Sequence, residues 1–259
     1  GGTLVSAMRF MEGQPIHGNP DLTYIPFLYP PLYAWVVGSL GMIFPFGYTL
    51  ARSVSTLCFG LATLAIGYGA WQARARWPLW IGLMGIFVGT WDNAGTFYDL
   101  IRVDSLTIAL LGWALVLGAQ KKMEIPAGIL LAGAFMAKHN TAALGLPMLI
   151  GIDRIHGREA AIRFLLAAFV PAFMFLGYEE IVTGGQFLKW ILGVPAAHTI
   201  KPVRLISGWD LQFHPFRLPN RGAQLELWDA LPVTTSLGIL LPFWFWKSEK
   251  RVYWTGASL

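Results

Sequence analysis

A single cysteine, Cys58, stands among 259 residues, so no intramolecular disulfide can form. Charge is nearly as scarce. Asp, Glu, Lys and Arg make up 13% of the chain, against about 25% in soluble domains. With 55% hydrophobic residues and a mean hydropathy of +0.54, this composition excludes a soluble globular enzyme. HExxH, CxxC and glycine-rich phosphate loops do not occur, and the five histidines are not at metal-ligand spacing. The sequence therefore offers no metal-site motif. It also lacks a Lys/Arg tract with interleaved aromatics, an internal repeat and a low-complexity tract, so the net charge of +5 reports loop orientation in a membrane rather than nucleic-acid binding.

What the chain does have is long uncharged runs. Between Arg52 and Arg74 lie 21 uncharged residues, enough at about 1.5 Å per residue to cross a hydrocarbon core of ~30 Å. Further apolar segments follow at 77–98, 105–120, 125–137, 141–152, 162–179 and 232–246. The expected fold is all-α and polytopic, with about seven transmembrane helices plus an interfacial or re-entrant helix. Residues 1–50 form an external loop with amphipathic and interfacial helices, and 51–179 the transmembrane core. Residues 180–231 form a second external loop, and 232–259 a last helix with the start of a further part. The chain begins at Gly1 and ends in an apolar stretch, which reads as a fragment cut at its start and also at its end.

Orientation follows from basic residues in short connections. Arg74, Arg76, Lys121, Lys122, Arg154, Arg158, Arg163, Lys247, Lys250 and Arg251 share one face if seven crossings run from 50 to 246, and the opposite turns hold Arg52, Arg102 and Lys138. The first face is assigned to the cytoplasm. Residues 32–46, bounded by Pro30-Pro31 and Pro45, are too short for an untilted crossing and read as a helix lying in or along the bilayer. Read instead as a short span, they invert every loop downstream. Segments 125–137 and 141–152 read as a hairpin with Lys138-His139-Asn140 at its turn; the alternative is one helix with Lys138 buried at its centre, which would cost several kcal/mol unpaired.

The polar residues of the external face gather in three places: Tyr24, Tyr29 and Tyr33; the stretch from Phe97 through Tyr98, Asp99 and Arg102 to Asp104; and Lys138-His139-Asn140. Charges at the mouth of a membrane helix need water or partners, so Asp104, Arg102, Tyr98, Lys138, His139 and Tyr29 are expected to converge on one cavity. The plainer alternative for Asp104 is an ordinary helix N-cap, with Arg102 reaching to the headgroups.

Glu12-Gly13-Gln14-Pro15-Ile16-His17, Tyr29-Pro30-Pro31-Leu32-Tyr33, Gly47 with Ala51-Arg52, Arg102-Val103-Asp104-Ser105-Leu106 and Ala137-Lys138-His139-Asn140-Thr141 together resemble the GT-C superfamily of membrane glycosyltransferases. The similarity is to bacterial relatives of protein O-mannosyltransferases and of the lipid A aminoarabinose transferase. It covers residues 1 to about 150; beyond 160 only the general plan is similar. The resemblance implies transfer of a sugar from a polyprenyl-phosphate carrier to a glycan, lipid or protein acceptor at the external, periplasmic face of the inner or plasma membrane. It makes Asp104 a catalytic residue and Arg102, Tyr98, Lys138, His139, Tyr29, Tyr33 and Arg52 substrate-binding. It names no certain cofactor and leaves a divalent metal open. The family's principal catalytic acid falls ahead of Gly1, so the fragment alone is expected to be inactive. His17 stands where Tyr is commoner in the family, and Pro30 where some relatives carry a basic residue.

Residues 180–231 add Trp190, Trp209, Trp228, His198 and His214 among several cations. They suit sugar stacking or, alternatively, an interfacial belt with 187–194 as an amphipathic helix on the bilayer. Two other classes stay open: a transporter or flippase of lipid-linked sugars, and a non-catalytic membrane assembly subunit.

Overall fold

The computed structural model describes residues 2–20, 22–90 and 99–197, and every regular element among them is helical. Tyr98, residues 198–231, the apolar segment 232–246 and the basic residues at 247–251 lie outside the described residues. The helices are α1 (Gly2–Met11), α2 (Leu32–Gly41), α3 (Tyr48–Gln72), α4 (Trp77–Gly89), α5 (Asp104–Gly118), α6 (Glu124–Ala137), α7 (Gly145–His156), α8 (Arg158–Val182) and the short α9 (Val194–Ala196). A 3-10 turn at His139–Leu144 and a π-helical turn at Lys189–Gly193 join them.

Local chemistry sets several boundaries. Pro78 occupies the first turn of α4, where its missing N–H has no helical partner to lose. Gly157, at φ +88°, separates α7 from α8, a left-handed position that glycine adopts without a Cβ clash. Lys138 breaks α6 by turning extended, with φ −152° and ψ 106°. Gly184 and Gly185, both at positive φ, follow α8.

Small residues set the packing. A Cβ on Gly112 would meet Ala65 at 3.3 Å and one on Gly69 would meet Val116 at 3.1 Å, while Trp113 Nε1 donates to the Leu61 carbonyl at 3.0 Å. These contacts run α3 and α5 side by side in the same direction. α6 returns antiparallel to α5, bringing Gly133 to Leu110 and Lys138 to Asp104. α8 climbs beside α6, and its closest point is Gly128, where a Cβ would lie 2.6 Å from the Phe164 carbonyl and 2.8 Å from Ala167. Such close backbone approach is how helices associate without a hydrophobic drive from water. Met148 and Ile152 of α7 complete that core with Leu131 and Phe164.

The outer surface is apolar. α4 buries none of its residues and exposes Leu79, Ile81, Leu83, Ile86 and Val88, and α8 exposes Leu166, Phe169, Val170, Phe173 and Met174. A water-facing surface rarely carries such faces. Two helices, α3 and α8, each of 25 residues, are long and apolar enough to cross a membrane. The helices α2, α4, α5 and α6 are apolar but shorter.

At 10 residues α2 spans about 15 Å, and the helix stops at Gly41 rather than continuing to residue 46. Tyr29, just ahead of it, lies over Lys138, and Gly47, just beyond it, caps the start of α3 near Arg52. Both flanks of α2 thus lie at the end of the bundle that holds Asp104. Residues 187–194 are helical, with the π-helical turn at Lys189–Gly193, and Phe187 and Ile191 on one side are fully buried against Phe175, so that side docks onto the helices.

Candidate functional site

Three chain segments meet at one end of the bundle. Asp104 opens α5, but the N-cap position is Val103 and no side chain caps it. The Asp104 carboxylate goes elsewhere: its Oδ1 accepts from Lys138 Nζ at 2.8 Å, and its Oδ2 lies 3.1 Å from Arg102 Nε. The Asp104 side chain is 16%, Lys138 23% and Arg102 36% exposed, so the Asp104–Lys138 pair is the more sheltered part of the cluster. Being in the first turn, the carboxylate also faces the positive end of the α5 dipole.

The lysine reaches this position because α6 ends at Ala137 and Lys138 turns extended, directing its side chain across to α5. Its Nζ also stands 5.4 Å from the Tyr29 ring centroid, within cation–π range. The His139 ring lies on the other side, 6.4 Å from Tyr29 between centroids. Burial and the neighbouring Lys138 ammonium both hold the His139 imidazole below its ordinary pKa, and its Nδ1 is buried without a hydrogen-bond partner. Among the expected residues, Asp104, Arg102, Lys138, His139 and Tyr29 are therefore brought together.

Arg52 takes a second carboxylate. It pairs with Asp99, three residues ahead of Arg102 and five ahead of Asp104 in the same short segment. Arg52 is more open than the others, with its side chain 56% exposed. Asp99 was legible as a charge but not as the partner of Arg52. Counting the two pairs together, three cations (Arg52, Arg102, Lys138) face two carboxylates (Asp99, Asp104), an arrangement that favours an anion.

Tyr33 is not part of this surface, contrary to the substrate-binding role expected of it. The residue is fully buried, and its hydroxyl donates to the Ala51 carbonyl at 2.9 Å while sharing a 2.7 Å hydrogen bond with Ser55. It packs α2 onto α3, with no face open to a substrate. Both Asp104 oxygens are met by cations, and no group of three metal-ligating side chains occurs among the described residues.

A buried pair that sequence reasoning missed stands beside the site. His17 is fully buried; its Nε2 lies 3.0 Å from the Tyr29 carbonyl and 3.1 Å from that of Phe27, and its Nδ1 is 4.0 Å from Glu179 Oε2 near the end of α8. Burial holds the His17 imidazole down to about 4, against the smaller upward pull of the Tyr29 and Phe27 carbonyls. The Phe187 ring meets it edge-on at 5.0 Å, and Trp190 Nε1 donates to the Gly18 carbonyl at 3.2 Å.

Comparison of the chain with protein-family models, with curated proteins and with solved structures gives no match.

Proposed function

We propose that this chain is the membrane core of a glycosyltransferase that moves a sugar from a polyprenyl-phosphate carrier to a glycan, lipid or protein acceptor at the external, periplasmic face of the inner or plasma membrane. On this reading the bundle is polytopic, with about seven crossings once residues 232–246 are included, and α2 lies at the interface. The observation that carries it is the meeting of Lys138 and Arg102 on Asp104, with Tyr29 over Lys138, at one end of the bundle. Isolated charges at such a depth are costly, and here they are spent on a recess rather than on a helix cap.

Breaking a glycosyl phosphate requires positive charge on the departing phosphate and a base at the acceptor hydroxyl. Arg102 and Lys138 supply the first. Arg52, more exposed, is placed to meet the same phosphate on entry, and arginine adds a bidentate fork for its oxygens. Asp104 keeps Arg102 and Lys138 poised while the site is empty and gives them up in part when an anion arrives. Tyr29 covers Lys138 and offers an aromatic face to a sugar. The apolar outer faces of α4 and α8 suit an isoprenoid tail.

The test is binding of undecaprenyl phosphate to the complete protein in lipid nanodiscs, read by native mass spectrometry or tryptophan quenching. Saturable binding that weakens at least tenfold in Lys138→Gln and in Arg102→Gln is the expected result. Binding that is indifferent to both substitutions would remove the site from the proposal.

A further inference from the structure

The hydrogen-bonding geometry of His17 dictates its tautomer. Two carbonyl oxygens, of Phe27 and Tyr29, lie within hydrogen-bond distance of Nε2. A carbonyl can only accept, so Nε2 carries the hydrogen and a neutral ring leaves Nδ1 as a bare acceptor. That bare nitrogen, buried and without a hydrogen-bond partner, faces Glu179 Oε2 at 4.0 Å. Two lone pairs do not hold each other across a buried gap. Glu179 is itself 5% exposed, and a lone carboxylate there would be expensive without a cation. The neighbouring acid, Glu180, is already occupied, its Oε2 accepting from the Leu188 N–H at 2.9 Å, and Phe187, which meets the His17 ring edge-on, brings no charge.

We propose that His17 and Glu179 are positioning residues: a neutral imidazole, whose Nε2–H holds the Phe27 and Tyr29 carbonyls, and a protonated carboxyl group facing Nδ1 across 4.0 Å set residues 27–29 against the end of α8 and so hold Tyr29 over Lys138. The proton stays on Glu179 and faces Nδ1 at a separation longer than a formed hydrogen bond, while Nε2–H is divided between the two carbonyls. Neither residue touches the Asp104 carboxylate. Their effect passes through the backbone of Tyr29, whose carbonyl His17 holds and whose ring lies 5.4 Å from Lys138 Nζ and 6.4 Å, tilted, from the His139 ring. The Trp190 bond to Gly18 ties the same loop to the same end of α8 from its other side. This inference builds on the transferase reading for its ligand and is independent of it for the proton.

Two measurements test it on the complete protein in lipid. The infrared difference spectrum of wild type minus Glu179→Gln at neutral pH is expected to show one protonated-carboxyl stretching band that shifts in D2O; a pair of carboxylate bands instead would overturn the protonated carboxyl group. In undecaprenyl phosphate binding, Glu179→Gln, whose amide N–H replaces the carboxyl O–H, is expected to stay within about threefold of wild type. Glu179→Ala should lose about tenfold. Wild type should weaken on the alkaline side relative to Glu179→Gln, which has no carboxyl proton to lose. Equal loss in Glu179→Gln and Glu179→Ala would overturn the positioning role. Absence of binding in every protein, wild type included, would defeat the transferase reading while the infrared band still decides the proton.

Discussion

Asp104 and Lys138 show why a charge pair in such a recess is more informative than either charge alone. Removing Lys138 leaves Asp104 its second partner Arg102, whereas removing Asp104 leaves Lys138 without a carboxylate in a partly buried setting, and removing both leaves an apolar contact there. Asp104→Leu is accordingly expected to lower thermal stability in detergent more than the double variant Asp104→Leu/Lys138→Met, by a margin of about 1–3 kcal/mol after allowance for the remaining exposure of both side chains. Equal or greater loss in the double variant would mean that the pair adds little. On the transferase proposal Asp104→Asn should lower turnover of the complete protein by orders of magnitude with near-normal expression. An N-cap role would make that change almost neutral, because Asn caps about as well as Asp. His17 gives a pH dependence of its own. Its folded pKa is held down to about 4, below the ordinary ~6.5 of the unfolded chain, so between those values the unfolded state binds the extra proton. Stability is full above about 6.5 and falls as pH drops toward 4, by up to about 3 kcal/mol. His17→Phe should flatten this part of the stability curve, whatever it does to stability at neutral pH, and an unchanged slope would show that another group titrates there.

Among the elements, the contact between α6 and α8 is the tightest. Gly128 touches backbone, so an added Cβ cannot be relieved by a side-chain rotation: it would sit 2.6 Å from the Phe164 carbonyl and 3.0 Å from the Ala168 nitrogen. Gly128→Ala should therefore cost about 1–3 kcal/mol through overpacking. Gly82→Ala, on α4 with nothing within 4 Å, should be neutral or stabilising by up to about 1 kcal/mol from helix propensity. Thermal unfolding of the two variants separates packing from propensity, and the same outcome at both positions would contradict the close approach. The sequence announces these elements unevenly. Lys138-His139-Asn140 interrupts an apolar run, so the turn and its polar content are plain from the residues, as are the charges of Asp104 and Arg102 at a helix start. The ends of α8 are less so, because Glu179 and Glu180 read as the border of an apolar span, while the helix continues through Val182. Tyr33 resembles its neighbour Tyr29 in every local feature; only the packing of α2 on α3 turns its hydroxyl inward. The His17–Glu179 pair joins the first loop to the last long helix, and no periodicity or spacing carries a contact over that separation.

For the molecule as a whole, the distribution of charge at the two ends of the bundle bears on its orientation. Arg163 grips Glu124 through Nε at 2.8 Å and Nη2 at 2.5 Å, with Glu159 near its Nη1 at 3.8 Å. This places the start of α6 and the start of α8 together, opposite the end that holds Lys138 and Asp104. Glu124 stands two residues after Lys122, and Arg158 follows directly on the turn after Arg154. Five of the basic groups assigned to the cytoplasm, Lys121, Lys122, Arg154, Arg158 and Arg163, are thereby drawn to one end by the fold itself, and translocation disfavours such a cluster. If that end is cytoplasmic, cysteines introduced at Ala75 and His156 in a Cys58→Ala background should react with a membrane-impermeant maleimide only after the membrane is opened. Cysteines at Phe27 and Asn140 should react in intact cells. Labelling of 75 and 156 from outside would invert the bundle, put the Asp104 recess on the cytoplasmic side, and remove the periplasmic carrier-dependent reaction from consideration. Split labelling, with 75 and 156 on different sides, would break the parallel course of α3 and α5 on which the shared recess depends.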